Sequence, residues 1–198
     1  MSNLHEECGI FGIYSPENTD LAHTTYYGLF ALQHRGQQSA GIAVNKDREI
    51  TLHKDNGLVQ EVFSKDILNS LKGTMAIGHV RYGTMGTKER VNAEPLVVNH
   101  MKGHLAIAMN GNLVNGAELK RELELQGMIF HTSSDAEIVS YVIIKERLTS
   151  DSIEEAVNKA MRKLKGGYCL LLMSPQKIIA ARDENGIHPI CYGKRENG

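Results

Sequence analysis

One cysteine of this chain stands where it could act as a nucleophile. Cys8 lies seven residues after the first methionine, at the start of a glycine-containing apolar stretch. If the bond between Glu7 and Cys8 were cut, Cys8 would carry a thiol and a free α-amine, a group whose reference pKa of about 7.7–8.0 leaves part of it neutral near working pH. A thiol beside its own proton acceptor needs no separate histidine. The alternative from the residues alone is an inert, buried cysteine.

The nine histidines of the chain raise the question of a metal site. His100 and His104 are four residues apart, but Gly103 and the strand-like pattern around them predict a hairpin turn. The two rings would then not share a helix face, as they do in a zinc-binding HExxH. The other histidines are scattered, and no phosphate-binding glycine pattern follows a predicted strand. The sequence therefore predicts no metal and no cofactor in this domain.

The composition narrows the class of protein. A length of 198 residues predicts one domain, and 41% hydrophobic with 23% charged residues predicts a globular chain. The formal net charge of -1 gives no support to a nucleic acid or a membrane surface as partner. No apolar run reaches the length of a membrane span, and the polar, acidic first residues do not resemble a signal peptide. We therefore expect a cytoplasmic protein.

Strand-like stretches occur near both ends of the chain. They are predicted at Gly9–Tyr14, 41–44 paired with 50–53, 74–81, a hairpin over 96–109 that turns at Lys102 and Gly103, and 168–173, 177–181 and 189–192. The last group contains Cys169 and Cys191, which stand among apolar residues and are predicted to be buried strand cysteines. Neither forms a CxxC pair, so no disulfide framework is expected.

Helices are predicted in two places between these strands. Apolar residues recur at helical spacing over 20–33. Three further helices are predicted to open on capping boxes at Asn115, Ser134 and Ser152, and the first of them to end at Gly127. Strands grouped at both ends and helices grouped in two places predict an α+β fold in which two sheets pack together between helices.

Five short motifs follow one another along the chain. They are CGIFGI from Cys8, QHRGQ from Gln33, GHVRYGT from Gly78, NGNLVN from Asn110 and SSD from Ser133. Together they closely resemble the glutaminase domain of the amidophosphoribosyltransferase family. More broadly, the chain is similar to the class II glutamine amidotransferases of the N-terminal-nucleophile hydrolase superfamily. The resemblance extends from Cys8 to about Gly193.

This resemblance implies a fold and a reaction. The fold is a four-layer αββα sandwich of two antiparallel sheets, with the nucleophile at the start of an inner strand. In the reaction, the Cys8 thiolate attacks the side-chain amide of glutamine, ammonia leaves, and water hydrolyses the γ-glutamyl thioester. In the family, the ammonia then displaces pyrophosphate from phosphoribosyl pyrophosphate in the first step of purine biosynthesis. That step belongs to a phosphoribosyltransferase domain, which is absent from this chain.

The resemblance also divides the chain. Residues 1–7 are expected to be a leader, removed autocatalytically to free Cys8, and residues 8–198 to be the glutaminase domain. While the leader is attached, the Cys8 nitrogen is an amide and cannot act as a base. For the full-length enzyme the resemblance implies a homo-oligomer.

The resemblance assigns roles in the site. Asn110 and Gly111 match the oxyanion hole, through the Asn110 amide and the Gly111 backbone N–H. Arg81 matches the residue that binds the glutamine α-carboxylate, and Asp135 the acceptor for the α-ammonium group. Secondary contacts to glutamine are expected from Thr84, Gly36 and Gly83, support near Cys8 from Arg35, and a lid from residues 82–90.

Each of these residues has a simpler alternative. Asn110 and Gly111 also fit an Asn-Gly hairpin turn, although a helix is predicted to follow closely. Arg81 also fits a solvated arginine at a strand end, and Asp135 an acid in the first turn of a helix, where it is favourable anyway. Residues 82–90 also fit an ordinary surface loop.

Two other classes of function stay open at this point. One is a glutamine-binding module that is never processed and does not catalyse. The other is a different class II amidotransferase or a cysteine amide hydrolase of the same superfamily. The pair of Arg81 and Asp135, which matches an α-amino acid, speaks against a different amide substrate.

Overall fold

The structure, a computed structural model, describes residues 8–17, 20–82 and 90–194. Within these ranges, eight strands form two antiparallel sheets of four strands each. The first sheet has the order β1-β4-β2-β3. Its strands are β1 (Gly9–Tyr14), β2 (Ser39–Lys46), β3 (Glu49–Asn56) and β4 (Met75–Arg81). The second sheet has the order β5-β6-β7-β8. Its strands are β5 (Leu96–His100), β6 (Gly103–Leu113), β7 (Gly166–Met173) and β8 (Ile178–Arg182).

The helices of the described ranges fall into two groups. Three lie between strands of the first sheet: α1 (Leu21–Ala31), α2 (Val59–Val62) and α3 (Lys65–Ser70). Three lie between β6 and β7: α4 (Gly116–Leu125), α5 (Asp135–Leu148) and α6 (Ile153–Met161). Short 3-10 helices occur at Gln33–Arg35 and Arg90–Asn92.

Apolar side chains on alternate faces of the strands form three layers, one between each sheet and its helices and one between the two sheets. On β4, Ala76 and Val80 pack with α1, whereas Ile77 packs with residues of the second sheet. On β6, Ile107 packs with α5 and α6, whereas Ala108 faces the first sheet. Successive side chains of a strand point to opposite faces, so each sheet is covered by helices on one side and by the other sheet on its second side. The predicted four-layer αββα sandwich is confirmed.

Most predicted strands are confirmed, and several are longer than predicted. β1 has the predicted bounds, and the hairpin of β2 and β3 extends by a few residues at both ends. The β5–β6 hairpin turns at Met101 and Lys102. β6 then continues to Leu113, so Asn110 and Gly111 lie inside a paired strand and are not a hairpin turn.

Two of the three predicted N-cap residues are confirmed, although Ser134 is not part of a capping box, because the Glu137 carboxylate accepts from His131 N and Thr132 N. The Ser134 hydroxyl accepts a hydrogen bond from Ala136 N, and the Ser152 hydroxyl accepts one from Glu155 N. The capping box at Asn115 is wrong. The Asn115 side chain instead donates to Lys163 O and accepts from Lys165 N, because the chain entering β7 passes beside it.

The end of the described chain differs from the prediction. No strand forms at 189–192, and Cys191 is exposed, so the prediction of a buried strand cysteine is confirmed for Cys169 and wrong for Cys191. The cause is the buried Asp183, whose carboxylate accepts hydrogen bonds from Tyr168 N and Ile187 N. This turn ends β8 and directs the following residues away from the sheet.

Within the described ranges, no helix combines the length and the apolar character that a membrane span requires.

The layer between the sheets supplies a test of the fold. Ile77 is fully buried there, in a cluster with Ala106, Ala108, Leu171 and Met173 of the second sheet. We expect Ile77→Ala to lower the free energy of unfolding by about 2–5 kcal/mol. Urea unfolding followed by circular dichroism measures this change. Val114→Ala is the matched control, because the Val114 side chain is 83% exposed and its loss should change stability by less than about 0.5 kcal/mol.

Candidate active site

Cys8 is held at the start of β1 by hydrogen bonds to the main chain and the side chain of Arg35. Cys8 N donates to Arg35 O at 2.9 Å, and Arg35 Nε donates to Cys8 O at 2.8 Å. The half-buried thiol lies beside the end of β4, where Tyr82 N is 3.5 Å from Cys8 Sγ. The two hydrogen bonds fix the main chain of Cys8 on both sides, which leaves the side chain to face the end of the sheets.

Asn110 and Gly111 lie on β6, across the gap between the sheets. Asn110 has the same parity as Ala108, so its side chain also points toward the first sheet. It is buried, and its Oδ1 atom has no hydrogen-bond partner among the described residues. Gly111 has a φ of +126°, and a Cβ there would lie 2.1 Å from Gly167 O. Only glycine fits this position.

Arg81 is the last residue of β4. Its Nη1 atom donates to Asn92 O at 3.2 Å and lies 3.9 Å from Glu94 Oε1. Its Nε atom is buried and has no partner within the described part of the chain. The guanidinium is therefore fixed in place while part of its donor set stays free for an anionic ligand.

Asp135 opens α5 and borders the same space. Its Oδ2 atom accepts a hydrogen bond from Leu113 N at 2.8 Å, which ties the helix start to the end of β6. Burial raises the pKa of the Asp135 carboxyl, and the nearby Glu94 carboxylate raises it further. The Leu113 N–H, the Asn112 side chain and the Arg81 charge act in the opposite direction, but the net pKa stays above the ordinary value.

One cavity of about 190 Å³ brings these groups together. Five predicted site residues line it: Cys8, Arg81, Asn110, Gly111 and Asp135. They come from four separate segments of the chain and carry a nucleophile, a cation, an amide and an anion. The volume is below the roughly 300–1,000 Å³ of pockets for drug-sized ligands, which suits a ligand the size of one amino acid.

The remaining predicted site residues are placed differently. Gly36 does not line the cavity but packs against β4, where a Cβ would lie 2.6 Å from the Val80 carbonyl carbon. Arg35 contacts Cys8 as described. Gly83 and Thr84 lie outside the described residues, and so does most of the predicted lid over 82–90.

Glu94 lines the cavity and was missed by the sequence analysis. Its buried carboxylate accepts hydrogen bonds from Met109 N and from the Ser134 hydroxyl, each at 2.7 Å. It therefore connects β6 to the start of α5, beside Arg81. The sequence does carry a signal for Glu94, which is an acidic residue between Ala93 and Pro95 in an otherwise apolar stretch. Such a stretch is expected to be buried, and a buried charge needs fixed partners.

His79 is the second group that was missed. It is fully buried on β4, two residues before Arg81, and its Nε2 atom lies 3.0 Å from Met109 O. Burial alone would lower the pKa of His79, but the Glu94 carboxylate and the Cys8 thiol raise it by more, so the net pKa is raised. The available signal was its position on the same strand face as Arg81 in the motif GHVRYGT.

The described residues include no group of three or more His, Cys, Asp or Glu side chains arranged to hold a metal ion. His100 and His104 lie on the two strands of the predicted hairpin, where they face Gly103 and Asn99 respectively.

Comparisons with known proteins agree with this geometry. The family model described as "Glutamine amidotransferase domain" matches residues 79–198. The amidophosphoribosyltransferase of Methanocaldococcus jannaschii is 49% identical over 191 residues, which cover 96% of this chain and 40% of that protein. The amidophosphoribosyltransferase of Bacillus subtilis is 43% identical over 194 residues, which cover 98% of this chain and 40% of that protein.

A solved structure gives the same result for the fold. It is described as glutamine phosphoribosylpyrophosphate (PRPP) amidotransferase from B. subtilis complexed with ADP and GMP, and it matches with a TM-score of 0.83 and 42% identity. The match covers 91% of this chain and 38% of that chain. This chain thus spans about 40% of the length of the curated relatives it matches. The resemblance seen in the motifs is confirmed: the chain belongs to the glutamine amidotransferase domain family.

Proposed function

We propose that this chain hydrolyses the side-chain amide of glutamine, with Cys8 as the nucleophile. The observation that carries the proposal is the single small cavity on which Cys8, Arg81, Asn110 and Asp135 converge. A thiol, an amide donor and a pair of opposite charges are what cleavage of the amide of an α-amino acid requires. Family membership supports the same reaction.

The nucleophile becomes active after removal of residues 1–7, the leader. The free Cys8 amine then accepts the thiol proton, and Sγ attacks the amide carbon of glutamine. The Asn110 amide and the Gly111 N–H stabilise the negative oxygen of the tetrahedral intermediate. When the tetrahedral intermediate collapses, the leaving nitrogen takes a proton from the protonated Cys8 amine and departs as ammonia. Water then hydrolyses the γ-glutamyl thioester to glutamate.

Opposite charges select the substrate. The Arg81 guanidinium, with an unpartnered buried Nε, binds the α-carboxylate of glutamine. The Asp135 carboxylate, whose Oδ2 is held by Leu113 N, accepts the α-ammonium group. Thr84 and Gly83 are proposed as secondary contacts and Arg35 as the support of the Cys8 main chain, whereas Gly36, which packs against β4, is not proposed as a contact to glutamine.

The larger reaction is proposed from the relatives. They are named amidophosphoribosyltransferases, and this chain spans about 40% of their length. We infer that ammonia released at Cys8 passes to a phosphoribosyltransferase domain beyond this segment. There it forms phosphoribosylamine from phosphoribosyl pyrophosphate, the first step of purine biosynthesis, in a homo-oligomeric enzyme. The free thiols of Cys8, Cys169 and Cys191 favour the reducing cytoplasm as its location.

The role of Asp135 has a pH signature. Because its pKa is raised, the carboxylate that holds the α-ammonium group is lost at a higher pH than an ordinary aspartate would allow. We expect glutamine to bind a Cys8→Ala chain more weakly as the pH falls through that raised pKa; this chain cannot turn glutamine over and is made without residues 2–7, because it cannot remove them itself. Titration calorimetry at several pH values measures the dissociation constant.

Asp135→Asn in the same background is the matched variant. Its amide oxygen can still accept from Leu113 N, so the helix start is kept while the charge is lost. We expect its dissociation constant to be about 10–100-fold higher at neutral pH, the effect of losing a hydrogen bond to a charged group, and to change little on acidification. Equal affinity with and without the Asp135 charge would contradict the assignment.

A further inference from the structure

The Cys8 nitrogen cannot serve as a base while residues 1–7 are attached. It is then an amide, whose lone pair is delocalised, and its N–H donates to Arg35 O. Cys8 also has a φ of +63°, in the left-handed region that residues with a Cβ rarely adopt. The residue that follows the bond to be cut therefore has an unfavourable main-chain conformation, and cleavage of that bond needs another proton acceptor.

His79 offers a lone pair in the right place. The Met109 carbonyl can only accept, so His79 Nε2 carries the hydrogen of their 3.0 Å contact, and Nδ1 of the neutral ring is an acceptor. Nδ1 is buried and has no partner at hydrogen-bond geometry among the described residues. A buried polar atom left without a partner costs stability and calls for an explanation in function.

The groups around the ring favour proton uptake from Cys8. His79 and Arg81 share the face of β4 that is turned toward the second sheet, and Cys8 Sγ lies beside Tyr82 at the end of this strand. Glu94 Oε2 is 3.8 Å from His79 Nε2 and stabilises a positive ring. Of the other charged groups, Arg81 acts against the positive ring, but Glu94 and Cys8 outweigh both it and burial, and the pKa of His79 is raised.

We infer that His79 is the base that takes the Cys8 thiol proton during self-removal of residues 1–7, a step that rests on the proposed function. The thiol proton moves to Nδ1, and Sγ bonds to the carbonyl carbon of Glu7. The bond from that carbon to the Cys8 nitrogen breaks as the imidazolium returns the proton to the nitrogen. Water then cleaves the thioester, which leaves a carboxylate on Glu7 and a free thiol and amine on Cys8.

His79→Gln removes the proposed base and keeps a side chain that can fill the same buried position. The glutamine Nε2 reaches about as far as the imidazole Nε2 and can still donate to Met109 O, but its amide oxygen is too weak a base to take the thiol proton. The full chain is synthesised in a pulse, and intact mass follows the loss of residues 1–7 with time. We expect His79→Gln to slow this loss by about 10²–10⁴-fold, the usual contribution of a general base. His104→Gln, on β6 and away from the cavity, should match the unaltered chain.

A second chain, in which Cys8 directly follows the initiator methionine, tests the same variant after cleavage. Removal of that methionine by the host frees the Cys8 amine, so here His79→Gln should lose far less glutamine hydrolysis than it loses leader removal in the full chain. Thermal unfolding of each variant establishes that the fold is kept.

The outcomes separate this inference from the proposed function. Cleavage of the full-length His79→Gln chain at the normal rate overturns the inference alone. An equal loss of glutamine hydrolysis by His79→Gln in the shortened chain also overturns it, since His79 would then support the site as a whole. An unaltered full chain that keeps residues 1–7, beside a shortened chain that hydrolyses glutamine, overturns both leader removal and this inference. A shortened chain that contains His79 but does not hydrolyse glutamine contradicts the proposed glutaminase, whatever the cleavage result.

Discussion

Cys8→Ala is expected to abolish glutamine hydrolysis without unfolding the protein. The substitution removes the atom that bonds to the amide carbon, and loss of a hydrolase nucleophile lowers kcat by about 10⁶-fold. The structural cost is small, because the thiol is half-buried and its hydrogen bonds to the Tyr82 main chain are long, at 3.5 and 3.8 Å. Both chains are made without residues 2–7, because Cys8→Ala cannot remove them itself. Release of glutamate and ammonia measures activity, and calorimetry measures whether the variant still binds glutamine.

Cys191→Ala is the matched control for the loss of a thiol. Cys191 is exposed and does not line the cavity, so its replacement should leave hydrolysis unchanged. Comparable hydrolysis by Cys8→Ala and the unaltered chain would contradict the assignment of the nucleophile. Glutamine binding without turnover by a processed, unaltered chain would instead identify a non-catalytic glutamine-binding module.

Asn110→Ala is expected to lower kcat for glutamine by about 10²–10³-fold, with a small change in KM. Removing one oxyanion donor costs about 2.7–4 kcal/mol, and the donor acts on charge that develops only as the amide is attacked. Stability should change little, because the buried Asn110 Oδ1 has no hydrogen-bond partner to lose. Steady-state kinetics and urea unfolding measure the two effects separately.

A second amide on the same cavity provides the contrast. The Asn112 side chain lines the cavity and lowers the pKa of Asp135, the proposed acceptor for the α-ammonium group. Asn112→Ala should therefore act mainly on KM, whereas Asn110→Ala acts on kcat. If Asn110→Ala raised KM and left kcat unchanged, Asn110 would bind the ground state and would not form the oxyanion hole.

The apolar layers of the fold follow from the alternation of side chains along single strands. Alternation on β4 and β6 assigns Ile77 and Ala108 to the layer between the sheets and Val80 to the helix side, and this pattern is visible in the sequence. The β5–β6 hairpin was likewise predictable from Gly103 and the strands beside it. The end of β6 was not, because Asn-Gly is a turn signal locally and only pairing with β7 keeps it extended.

The parts of the site that sequence reasoning missed depend on contacts between distant segments. The hydrogen-bond partners of Glu94, Met109 and Ser134, lie 15 and 40 residues away in the chain. The residues adjacent to Glu94 in sequence therefore do not reveal that it connects β6 to α5. His79 gains its fixed tautomer from Met109 O, 30 residues later. For the same reason the local capping signal at Asn115 was overridden by the chain near Lys165, 50 residues on.

The most direct test of the account traps the acyl-enzyme. The unaltered chain is mixed with glutamine, quenched in acid during turnover, digested and analysed by mass spectrometry. We predict a peptide that begins at Cys8 with a free α-amine and carries one γ-glutamyl group on the thiol, and that is missing from Cys8→Ala. A γ-glutamyl group on Cys169 or Cys191, or turnover by a chain that still carries residues 1–7, would contradict the account.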